Sequence, residues 1–148
     1  MQTTILLSAV FVYFSSISAE AQNFKVLVLD ALSGKPQSKM QVTYFCQDSH
    51  HNFEIEEDDA DDKGIVVIPY RCKGEDQKIV IDVTGLPKEQ CGGSVVANYE
   101  EISSKGIISA PDAAGEMHVP TKISRKLKPI PGQVTMFVKK PSWLQSHF

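Results

Sequence analysis

Apolar positions recur along this chain at the spacing of short strands, with polar turn residues between them. Phe24 to Asp30 carries Phe24, Val26, Leu27, Val28 and Leu29 and stops at an acid. So short a run of large and β-branched residues predicts a strand rather than a helix. Leu32-Ser33-Gly34-Lys35-Pro36 is turn chemistry, because Gly accepts positive φ and Pro fixes its own φ and lacks an N–H. Met40 to Cys46 predicts a second strand, Val42 and Tyr44 alternating with Thr43 and Phe45. Phe53 to Glu56 reads as a short third strand with one apolar and one acidic face. Ile65-Val66-Val67-Ile68 follows Asp62-Lys63-Gly64 at once, and its unbroken apolar run predicts a strand covered on both faces. Ile79, Ile81 and Val83 alternate with Val80 and Asp82, which predicts a fifth strand over Lys78 to Val83.

The last third is less regular. Asn98-Tyr99-Glu100-Glu101-Ile102 has the signals of a short helix: Asn98 as N-cap, acids in the first turn and Gly106 as the stop. Ala110 to Gly115 reads as loop, Thr121 to Leu127 as an edge strand and Pro129 to Gly132 as a turn. Gln133 to Val138 is a further strand, ended by Lys139-Lys140-Pro141. Short strands punctuated by turns indicate an all-β sandwich, here with a short helix inserted in its second half.

The N-terminal residues change the picture by setting a compartment. Ile5 to Phe14 is an apolar run, followed by Ser15-Ser16-Ile17-Ser18 and then Ala19-Glu20-Ala21. Small residues three and one before a cut, after an apolar core of this length, are the layout of a secretory signal. Cleavage after Ala21 leaves residues 22–148 as a single domain. A membrane anchor is the competing reading, but the run is about half of the roughly 20 residues a span needs. The expected location is secreted, periplasmic or extracellular, with no transmembrane segment once the signal is removed.

The formal charge of −3 hides a polarity. Glu54, Glu56, Glu57, Asp58, Asp59, Asp61 and Asp62 stand together with only Lys63 beside them, whereas Thr121 to Phe148 holds no acid. Cys46, Cys72 and Cys91 lie beyond the signal, so an oxidising compartment pairs two and leaves one. Strand directions favour one pairing. If Phe53 to Glu56 runs back from the second strand, Ile65 to Pro69 climbs again, and Cys72 reaches the end where Cys46 lies. Lys78 to Val83 then carries Cys91 to the opposite end. A bridge needs Cα atoms within about 7 Å, which favours Cys46 with Cys72. If residues 47–63 form one long loop instead, the two cysteines fall at opposite ends.

Three of these features resemble the carboxypeptidase regulatory-like domains, Ig-like sandwiches related to the transthyretin-like fold. Val26 to Asp30, Gly34-Lys35-Pro36 and Val42-Thr43-Tyr44 give a strand ending in Asp, a Gly-Lys-Pro turn and a second strand. Asp59 to Ile65 gives an Asp-rich turn with Gly before an apolar strand, and Gly74 to Val83 a Gly turn into an alternating strand. The resemblance spans residues 24–85 and leaves 86–148 as an elaboration. It implies an Ig-like, transthyretin-like sandwich that serves as a non-catalytic module for support, adhesion or ligand contact. It brings no catalytic residue. The Tyr-Arg-Gly-Ser signature of the hydroxyisourate hydrolases, which share the transthyretin fold, is not in this sequence.

Candidate chemistry is sparse. Asp58, Asp59, Asp61 and Asp62 are the calcium candidates, since Ca²⁺ takes six to eight oxygen ligands and carboxylates on one flexible loop can converge on it. Their spacing departs from an EF-hand: Ala60 stands where a second ligand belongs, and a solvated hairpin tip is the commoner outcome. Cys46, His50, His51 and His118 form a weaker soft-metal set. Zinc needs three or four ligands together, and adjacent His residues in a strand point to opposite faces. There is no Gly-x-Ser-x-Gly elbow and no Gly-rich phosphate loop. Lys122, Arg125, Lys126, Lys128, Lys139 and Lys140, with Trp143 and Phe148 nearby, are the polyanion candidates. In an exported protein a glycan fits better than nucleic acid. The competing reading, which the sequence favours, is that Lys139-Lys140 guards an edge strand while Trp143 and Leu144 fold onto the core. The expectation is therefore an exported, non-catalytic, cofactor-free sandwich for binding or structural support, with a protein or glycan surface partner. The alternative is a metal-dependent hydrolase or calcium-binding protein using the acidic turn 56–62.

Overall fold

Alternation along the first apolar run gives strand β1 (Asn23–Asp30), which buries Phe24, Val26 and Val28 on one face and turns Lys25 outward on the other. The computed structural model describes residues 22–47, 55–72, 77–84, 93–109 and 121–139. The remaining strands are β2 (Gln41–Gln47), β3 (Ile55–Asp59), β4 (Ile65–Pro69), β5 (Lys78–Thr84), β6 (Ser94–Ala97), β7 (Ile107–Ile108) and β8 (Gln133–Val138). Helix α1 (Tyr99–Lys105) lies between β6 and β7, and a single helical turn, α2 (Thr121–Ser124), precedes β8.

The strands form two four-stranded sheets, ordered β4-β1-β8-β7 and β3-β2-β5-β6. The first is mixed: β1 runs antiparallel to β4 and parallel to β8, and β7 is parallel to β8. The second is antiparallel throughout. Phe24, Val26, Ile68, Val134 and Met136 from the first sheet meet Val42, Tyr44, Ile79, Ile81 and Val83 from the second in one core. Two sheets packed through alternate residues make an all-β sandwich. Strand β8 sits between β1 and β7, so residues after 85 supply a central strand and the core residues Val134, Met136 and Val138.

Local signals place the connections. Asp30 Oδ1 accepts from the Leu32 and Ser33 N–H groups and from the Ser33 hydroxyl, which closes the turn after β1. Asn98 caps α1 by accepting from the Glu101 N–H at 2.8 Å. The helix ends at Gly106, whose φ of 72° and approach to the Ile130 carbonyl leave no room for a Cβ, which would collide with that oxygen. Tyr99 of α1 packs on Tyr70, ring centroids 4.6 Å apart, and so ties the helix to the segment after β4.

Several expectations need correction. Thr121 to Leu127 is not an edge strand. Thr121–Ser124 forms a single helical turn, and Ile123 within it and Leu127 after it both pack on the cluster of Leu29, Ala31 and Phe137. The acidic stretch is not one turn: residues 56–59 belong to β3, and only the stretch around Asp61 to Gly64 turns the chain. Strand β4 is not covered on both faces. It is an edge strand with Val67 51% exposed, because the cover over its sheet sits on β1, β8 and β7. Strands β6 and β7 have no counterpart among the expected elements; four and two residues are too short to show a period.

Candidate functional site

The cover itself follows from topology. Parallel neighbours need a crossover of a dozen or more residues, so the chain between β7 and β8 must pass over a face of its sheet. Its described part begins on the outer face of the β4-β1-β8-β7 sheet, at Ile123 and Leu127, and ends against α1, where Ile130 and Gly132 meet Gly106 and Ile102. Ile123 and Leu127 anchor it on Leu29 and Phe137, which point away from the main core. Lys126 N–H donates to the Ile123 carbonyl, closing a local turn, and Gly132 N–H donates to the Ile102 carbonyl at 2.8 Å, which ties the end of the passage to α1.

With Ile123 and Leu127 turned inward, Lys122, Arg125, Lys126 and Lys128 are all exposed. Lys139, just past β8, is exposed as well, while Lys140 lies outside the described residues. The fold adds a cation that sequence reasoning missed. Lys25 pairs with Gln133 across β1 and β8 and points outward on this same sheet, beside Gly132, whose carbonyl accepts from the Lys25 N–H. The signal for it was the alternation of β1, which sets Lys25 opposite Phe24 and Val26. None of these cations forms an ion pair among the described residues.

Charge is sorted by sheet. The strands of the β4-β1-β8-β7 sheet hold one acid, Asp30, and its carboxylate is engaged in its own turn. The other sheet carries Glu56, Glu57, Asp58, Asp59 and Asp82 against Lys78. Sheets in a sandwich are about 10 Å apart, and the cover lies a further layer out. That exceeds the Debye length of about 8 Å at physiological salt, so these strand acids are largely screened from the bases, while Asp61 and Asp62 stand in the turn that enters β4.

The calcium candidates are divided by β3. Asp58 and Asp59 are successive strand residues and project to opposite sides. Asp61 Oδ1 accepts from the Lys63 and Ile65 N–H groups at 2.9 and 2.8 Å, closing the turn into β4, and Asp62 is exposed there. Among the described residues, no group of three or more His, Cys, Asp or Glu converges as a metal site. His50, His51, His118 and Cys91 lie outside the described residues.

Cys46 and Cys72 are joined in a disulfide with Cα atoms 5.3 Å apart. Strand β3 runs antiparallel to β2, as the pairing argument required, so the bridge ties the end of β2 to the segment after β4 in the other sheet. A shallow cleft of about 20 Å³, room for roughly one water, opens beside it between Tyr44, Glu56, Arg71 and Ile79. Both oxygens of Glu56 are engaged: Tyr44 Oη donates to one at 2.6 Å and Arg71 Nη1 to the other at 2.7 Å. Burial, and after it the hydrogen bond to Glu56, raise the Tyr44 phenol well above its ordinary pKa. Burial raises Tyr70 likewise. Both phenols therefore stay protonated at neutral pH, and the cluster works as a clamp between β2, β3 and the Cys72 segment.

Comparison of the chain with protein-family models, with curated proteins and with solved structures gives no match.

Proposed function

We propose that this chain is an exported, non-catalytic β-sandwich module that binds or supports a partner at or outside the cell surface. The observation that carries the reading is the Cys46–Cys72 bridge between the two sheets. A bridge of this kind persists in oxidising compartments and is rare where glutathione and thioredoxin keep thiols reduced. The secretory layout of residues 1–21 supports the same compartment, although those residues lie outside the described ones. The two-sheet architecture supports the finer resemblance to the carboxypeptidase regulatory-like and transthyretin-like sandwiches, whose usual role is non-catalytic.

Protein recovered from the medium or periplasm of an expressing cell tests this directly. Intact mass should correspond to a chain that begins at Gln22, and non-reducing peptide mapping should join the Cys46 and Cys72 peptides. A chain that keeps Met1 and carries three free thiols overturns the proposal.

A further inference from the structure

Deepening that reading, and resting on it, we infer that the outer face of the β4-β1-β8-β7 sheet is a binding surface for a sulfated glycan. The surface is formed by Lys25 together with Lys122, Arg125, Lys126, Lys128 and Lys139, all exposed. Four of these lie within the seven residues 122–128 of the crossover, and no acid occurs between residues 121 and 139 to offset them.

Three observations distinguish this face from an ordinary solvated one. The cations are mounted on a held backbone: Ile123 and Leu127 are packed into the cluster of Leu29, Ala31 and Phe137. None of the cations forms an ion pair among the described residues, which leaves their charge open to a polyanion there. Finally, Lys25 comes from the first strand and reaches the same face at the Gln133 end of β8, whereas Ile123 seats the crossover at the Phe137 end, so the cations run along the strands. The positive field is therefore built by the fold and is not confined to one basic segment.

The ligand class follows from the charge pattern and compartment. The chain as a whole is acidic, with a net charge of −3 and a pI near 5.8. Overall charge therefore repels a polyanion at neutral pH, and attraction has to come from a face held apart from the acids. A linear chain of sulfates matches cations strung along the crossover. Val67 and Ile130 are also exposed on this side, but six cations outnumber these two apolar residues, which favours a polyanion over insertion into an anionic membrane.

The experiment is affinity chromatography of the full exported protein on immobilised heparin at pH 7.4, beside a plain sulfopropyl resin. The wild type should stay bound to heparin above about 0.15 M NaCl, physiological ionic strength, and elute from the sulfopropyl resin at lower salt. Replacing Lys122, Arg125, Lys126 and Lys128 together by Gln should weaken heparin binding at least about ten-fold. Lys25→Gln should weaken it by about two- to five-fold, the range expected for one exposed charge contact. Lys78→Gln, on the other sheet, should leave it unchanged, and near-ultraviolet circular dichroism verifies that each variant is folded. Equal elution from the two resins, or a Lys25→Gln effect no larger than that of Lys78→Gln, overturns the inference. So does binding to vesicles of mixed phosphatidylcholine and phosphatidylserine without binding to heparin. An exported wild type that starts at Gln22 yet fails to hold on heparin overturns the glycan surface alone and leaves the exported module standing.

Discussion

Glu56 shows how one side chain reconciles an acidic strand with a buried neighbour. It lies beside Tyr44 across the β2–β3 pair, where a carboxylate at the margin of the core would be costly without partners. Tyr44 and Arg71 supply them, one to each oxygen. Arg71 is 62% exposed on its side chain, so Arg71→Ala should cost only about 0.2–1 kcal/mol in a denaturant titration. Tyr44 has a pH signature. A phenol whose folded pKa lies above its unfolded value of about 10 holds its proton more tightly in the folded state. Its contribution is fully present below about pH 10 and falls as pH rises through the folded value. Urea midpoints measured from pH 7 upward should therefore decline above about pH 10, with a shallower decline in Tyr44→Phe. Tyr70, raised by burial too, should keep that variant from losing the alkaline slope altogether.

At the scale of elements, the join between α1 and the crossover is the most constrained. Gly106 takes positive φ and touches the Ile130 backbone, whereas Gly132 takes a similar φ of 76° and would leave an added Cβ with nothing within 4 Å. The two positions separate backbone strain from collision. Gly132→Ala should cost about 1–2 kcal/mol, the left-handed penalty alone. Gly106→Ala must also displace Ile130, and should cost at least about 3 kcal/mol or prevent folding, measured by urea unfolding. Asn98→Ala, which removes the cap hydrogen bond to Glu101, belongs between no effect and these, at about 1 kcal/mol.

At the scale of the molecule, the bridge between Cys46 and Cys72 spans 26 residues of sequence and joins the two sheets. In the chain-entropy model a loop of that length is worth about 3.5 kcal/mol. The paired substitution Cys46→Ser with Cys72→Ser should lower the unfolding free energy by at least that amount, because Cys72 is also a member of the core and Cys46 packs against it, while the variant still folds on Phe24, Ile68, Ile79, Ile81 and Met136. Calorimetry of the two proteins side by side checks both statements. A variant that does not fold would show that the sheets rely on the bridge to meet.

What the sequence determined by itself are the features governed by neighbours along the chain. The alternation of Phe24, Val26 and Val28, the cap at Asn98, the stop at Gly106 and the alternation of Ile79 and Ile81 are all legible because side-chain direction and backbone capping are local. The Cys46–Cys72 pairing was legible only on the condition that a strand runs back after β2, a condition that β3, antiparallel to β2, meets. Tertiary structure decided what depends on who lies alongside. Val67 is exposed because β4 became an edge, Thr121 to Leu127 holds a helical turn and not a strand where Leu29 and Phe137 offer an apolar seat, and β7 is held by β8 alone among its neighbours in the sheet. Charge followed the same rule. The basic stretch is visible in sequence, but its separation from the acids and its union with Lys25 exist only because a parallel pair forces the chain across one outer face.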